Sequence, residues 1–111
     1  MYKMNYTKGT PEMAQELYKR ILQTANHFLH SAKRYEISVL QDYNPSFEEL
    51  SEIMKDMATI IRGLADEIDP MLGTKALDYA QIMSTMALAI TNNDDVSLQE
   101  QIVELDKKPF C

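Results

Sequence analysis

The 111-residue sequence predicts an all-α fold. The expected form is a helical bundle with one long N-terminal helix, two further principal helices and a short C-terminal helix, assembled as an oligomer. Three observations lead there. Apolar residues recur three and four apart, the spacing of a helix face, and period-two alternation is missing. The breaks at 43–46, 69–74 and 91–96 are short, as between bundle neighbours. Hydrophobic residues make up 45% and charged residues 25%, a balance that suits one folded domain and not a disordered chain.

The first helix begins where Thr10 offers an N-cap oxygen and Pro11 takes the first helical position, which needs no N–H. Ala14, Tyr18, Ile21, Ala25, Phe28, Ala32, Tyr35 and Val39 form its stripe, widened by Leu17, Leu22, Leu29 and Leu40. Neither Gly nor Pro interrupts the pattern between Pro11 and Pro45. The spacing predicts one helix from Thr10 to about Tyr43, a rod of roughly 45 Å. That exceeds the diameter of a compact domain of this size. Shorter helices folded back along it, or a second copy of the chain, must cover it, and a dimer paired along this helix is the simplest solution.

Ser46-Phe47-Glu48-Glu49 reads as a capping box that opens the second helix, with Leu50, Met54, Met57, Ile61, Leu64 and Ile68 on its buried face. Gly63 inside that helix costs up to about 1 kcal/mol relative to Ala, which a close helix crossing would explain. Asp69-Pro70 repeats the cap-then-proline signal for the third helix, which is expected to settle after Gly73-Thr74. From Met83 to Ile90 only Ser84 and Thr85 are polar. So apolar a stretch marks a central element or one that faces a partner. Asn92-Asn93-Asp94-Asp95 ends it and offers caps for a short fourth helix carrying Val96, Leu98, Ile102, Val103 and Leu105. The expected division is an arm at 1–9, one helical domain at 10–107 and a tail at 108–111.

Net charge is −6, unevenly spread. Residues 1–40 carry +3 and residues 41–111 carry −9. The acidic part argues against general nucleic-acid binding, which needs a basic face. It suits solvated helix faces or a basic partner. No apolar run approaches the 18 or so residues of a membrane span, and the start lacks a signal-peptide core. Cys111, the sole cysteine, can join no internal disulfide. A cytoplasmic location and no membrane contact are expected.

Candidate sites are few. His27 and His30, three apart on one helix, share a face and are the weak candidates for a metal site. They lack the usual i, i+4 spacing, and surface or boundary positions are the simpler reading. Glu49-x-x-Glu52 and Asp66-x-x-Asp69 are similar to the paired carboxylate motifs of the MazG-like all-α nucleotide pyrophosphohydrolases. That resemblance implies magnesium-dependent hydrolysis of a triphosphate. Here, however, Glu49, Glu52 and Asp66 fall on one predicted helix, with Asp66 about 20 Å from Glu52 along its axis. Asp also stands at the third position. No serine or cysteine sits in a nucleophilic setting, so no catalytic residue and no cofactor are expected.

Eight methionines are many for this length, and Met54, Met57, Met83 and Met86 lie on apolar faces. They belong to the core or to an adaptable partner-binding surface. Tyr6-Thr7-Lys8-Gly9-Thr10-Pro11-Glu12 resembles the start of the first helix in small phage proteins that sequester cyclic dinucleotide signals. The sequence lacks the Trp-containing helix of those proteins. Under that alternative Tyr6, Lys8, Lys19 and Arg20 hold an anionic nucleotide between subunits. The preferred reading is a non-enzymatic acidic helical protein, a regulator, inhibitor or chaperone-like escort that binds a partner protein.

Overall fold

The computed structural model of the protein describes residues 11–107. Four helices account for most of them, α1 (Pro11–Ser31), α2 (Phe47–Leu64), α3 (Pro70–Thr91) and α4 (Asp95–Lys107), with no strand among the described residues. Consecutive helices pack on one another, and α3 also touches α1. Among the described residues no helix is long and apolar enough to cross a membrane.

The expected long first helix stops twelve residues early, at Ser31 in place of Tyr43. The stop is a Schellman motif: Arg34 N–H donates to the Leu29 carbonyl at 2.9 Å and Lys33 N–H to that of His30 at 3.0 Å. It requires Lys33 in the left-handed region, at φ 58°. Glycine ordinarily fills that position, so a lysine there gives no stop signal in the sequence. At 1.5 Å per residue α1 is about 32 Å long, which fits the 37 Å longest dimension of the fold.

Residues 34–46 then return along α1 as an extended strap. Asn26 clamps it, accepting from Ile37 N–H at 2.7 Å and donating to the Ile37 carbonyl at 2.8 Å. Leu40 N–H donates to the Tyr18 hydroxyl, and Gln15 donates to the carbonyls of Gln41 and Tyr43. The Tyr43 ring meets Tyr18 edge-on at 5.1 Å. The stripe expected to continue through Tyr35 is thus broken up. Tyr35 is 99% exposed and Leu40 57%, whereas Ile37 and Val39 are half-buried against the core.

The other starts follow their sequence signals. Ser46 accepts from Glu49 N–H and Glu49 accepts from Ser46 N–H, the complete capping box. Asp69 caps α3 through Met71 and Leu72 N–H, with Pro70 at the first position. The helix is regular from Pro70 onward, without the delay expected at Gly73-Thr74. Its end repeats the Schellman geometry, with Asn93 at φ 54° and Asp94 N–H donating to the Ala89 carbonyl at 2.8 Å.

The close crossing is at a different glycine from the one expected. A Cβ on Gly63 would meet nothing within 4 Å. A Cβ on Gly73 would stand 2.6 Å from the Ala65 carbonyl oxygen, so α3 rests its first turn directly on the end of α2. The apolar character of α3 is explained by its central place. It buries Ala76, Tyr79, Ala80, Ile82, Met83, Met86, Ala87 and Ala89, more than one face of a helix. Tyr79 meets Phe28 of α1 at 5.8 Å between ring centres.

Candidate partner-binding surface

Helix α4 divides its apolar residues between two sides. Leu98, Ile102 and Leu105 are buried. Val96, 71% exposed, and half-buried Val103 lie seven residues apart on the other side. Two helical turns separate them, so they share one outward stripe. A depression of about 660 Å³ follows that stripe, lined by Asp95, Val96, Gln99, Glu100, Gln101, Val103 and Glu104. Its lining combines the two valines with three carboxylates, Asp95, Glu100 and Glu104.

The helix is held firmly at both ends. Asp94 accepts from Ser97 N–H at 3.1 Å and from the Ser97 hydroxyl at 2.7 Å. Those bonds, the hydroxyl first, hold the Asp94 carboxyl below the usual carboxylate range. At the other end Arg20 of α1 pairs with Asp106 and donates to the Leu105 carbonyl at 3.2 Å. A guanidinium at a helix C-terminus also complements the dipole there. Lys107 pairs with Glu104 at 4.0 Å. The valines are therefore presented on a fixed element.

The four methionines named from sequence do not form a surface. Met54, Met83 and Met86 are fully buried and Met57 is 8% exposed, all within the core. They join the cluster in which α1, α2, α3 and α4 bury their apolar residues together. The sequence passed over α4 because Val96 and Val103 in a short helix read as more core.

Of the nucleotide-holding alternative, the structure describes Lys19 and Arg20. Tyr6 and Lys8 lie outside the described residues. Arg20 is committed to Asp106 and the end of α4. Lys19, its neighbour, is half-buried.

Three of the four carboxylates of the hydrolase-like motif serve the fold. Glu49 completes the capping box and accepts from the Tyr43 hydroxyl at 3.2 Å. The bonds from Ser46, and then that from Tyr43, lower its pKa. Partial burial and the Glu49 charge raise the Tyr43 pKa in turn. Glu52 pairs with Lys55 at 3.3 Å, and Asp69 caps α3. Asp66 sits in the turn after α2, far along the axis from Glu52.

His30 is exposed and lies 3.8 Å from Glu36, while His27 meets the Phe28 ring edge-on at 5.4 Å. Both border a second, more polar depression of about 540 Å³ with Gln23, Asn26, Glu36 and Val39. Among the described residues no three His, Cys, Asp or Glu side chains are placed to hold a metal ion. Comparison with protein-family models, curated proteins and solved structures gave no match to this chain.

Proposed function

We propose that this protein acts by binding a partner protein through the outer side of α4, as a small regulator, inhibitor or escort. The observation that carries the reading is exposed Val96 and half-buried Val103 on the outer side of α4, with Asp95, Glu100 and Glu104 beside them. Apolar area at the centre of a contact supplies affinity, and a charged rim sets orientation and selects partners. The chemistry fits an amphipathic helix whose apolar side chains meet the valines and whose lysines or arginines meet the carboxylates. The net charge of −6 favours approach of such a basic segment from a distance.

Fluorescence anisotropy with two labelled helical peptides tests this. Both carry the same leucine face, one with a Lys/Arg polar face and the other with a Glu face. The basic peptide is expected to bind, more weakly as salt rises. Binding should fall at least tenfold with Val96→Arg/Glu100→Lys, changes at exposed positions that leave the fold intact. Equal binding of the acidic peptide, or undiminished binding to the variant, refutes the proposal. A protein captured from cells by the wild type but lost with this variant would identify the natural partner.

A further inference from the structure

The amino-acid pattern and the fold part company most widely at residues 32–43. The apolar stripe of α1 continues through Ala32, Tyr35 and Val39 without a helix breaker. In the structure the same residues form a turn and a strap. Two features make the turn a weak point. Lys33 holds a left-handed conformation that favours glycine. The strap is fastened mostly by hydrogen bonds with Asn26, Tyr18 and Gln15, leaving Tyr35 and Leu40 in water. The Arg34–Glu67 pair that also ties it is exposed and contributes little.

We infer that this strap is a hinge through which two copies of the chain exchange α1. If residues 32–43 become helical, Pro11 to Tyr43 form a single rod of about 50 Å. Pro45 ends it, since proline disfavours helical geometry just before itself. Straightening carries α1 away from the α2–α4 unit of its own chain. The face bearing Ala14, Leu17, Tyr18, Ile21, Ala25 and Phe28, now buried, then needs a new cover. Among the described residues, the surface already shaped for it is the α2–α3 face, which the same movement leaves open on a second copy. The exchange is reciprocal and closes as a symmetric pair.

The packing of α1 on α2 and α3 is the same in both forms, so it cancels. The balance rests on the hinge. Exchange gives up the Asn26 clamp, the Tyr18 and Gln15 bonds, and the packing of half-buried Ile37, Val39 and Tyr43. It gains a dozen residues of helix, releases Lys33 and extends the α1 stripe so that Tyr35 and Val39 of the two copies can meet. The second copy is favoured as the occupant because the new stripe is continuous with the present α1 interface.

Two substitutions push the balance in opposite directions. Lys33→Gly suits the turn and weakens the rod. Asn26→Ala unfastens the strap, and since position 26 is helical in both forms its propensity cancels. Sedimentation equilibrium is expected to show a concentration-dependent dimer, weakened at least tenfold by Lys33→Gly and strengthened about tenfold by Asn26→Ala. Gln15→Ala replaces Asn26→Ala should the latter not fold. The dimer should also have higher far-ultraviolet helicity than the monomer. In a dimer reassembled from two differently isotope-labelled preparations, the Phe28–Tyr79 ring contact should appear between labels. A dimer that keeps that contact within one chain overturns the inference. So does a strap variant that stays monomeric at every concentration, or a Lys33→Gly protein that pairs as well as the wild type.

Discussion

Replacing Gly63 and Gly73 separately by alanine tests how α3 is seated on α2. Both glycines are inside helices, so alanine brings a similar gain in helix propensity, about 0.5–1 kcal/mol. Gly63 has open space around its would-be Cβ, and the gain should appear in full. Gly73 has the Ala65 carbonyl oxygen at 2.6 Å from that position. A backbone oxygen cannot swing aside as a side-chain tip can. Accommodating the methyl group means moving the first turn of α3, at about 1–3 kcal/mol. Gly73→Ala should therefore be destabilised by up to about 2.5 kcal/mol net, with Gly63→Ala stabilised. The difference between the two variants cancels propensity and leaves the contact itself, about 1–3 kcal/mol. Urea unfolding followed by circular dichroism resolves this, since 1 kcal/mol also moves the melting midpoint by roughly 4–8 °C in a domain of this size. Equal stability of the two variants would refute the close approach of α3 to Ala65.

Three further outcomes follow from the contacts described. Arg20→Ala should cost about 1–2 kcal/mol, because it leaves Asp106, only 14% exposed, and the Leu105 carbonyl without their donor; amide exchange should accelerate first in α4. Asn93→Gly should stabilise the protein by a few tenths of a kcal/mol by easing the left-handed residue after α3, less than Lys33→Gly because asparagine tolerates that geometry better. Glu49 and Asp94 have pKa values lowered by their capping bonds. Their contribution is therefore complete above the unfolded carboxylate range near pH 4 and is lost as pH falls through the folded values. Urea midpoints measured from pH 6 down to pH 2 should fall less steeply in Glu49→Gln than in the wild type; parallel curves would remove Glu49 from the account.

Where a residue type has one dominant use, the sequence and the structure agree. Ser46 with Glu49, and Asp69 with Pro70, mark helix starts because few other local arrangements suit those groups. The all-helical character was equally legible in the three-and-four spacing. The end of α1 was not, because a Schellman turn built on Lys33 depends on backbone geometry that a lysine does not announce. The two glycines show the same limit from the other side. Gly63 and Gly73 look alike in sequence, and only the position of the Ala65 carbonyl distinguishes them. As for the surface, periodicity reports which residues are apolar but not which side of a short helix meets the core. Val96 and Val103 differ from Leu98 and Ile102 only through the direction from which α3 approaches.

The length of the strap also bears on how the chain is made. Helices α2, α3 and α4 are joined by connections of a few residues, so each finds its neighbour almost as soon as it is synthesised. Helix α1 has no such neighbour at hand. Thirty-three residues separate its end at Ser31 from the end of α2 at Leu64. At ordinary elongation speeds that interval takes about 2–7 s, during which the newborn apolar face of α1 waits in the cell uncovered. This is the period when the chain most needs a chaperone. On a crowded polysome, it is also when the α1 of one nascent chain is most open to a neighbour's.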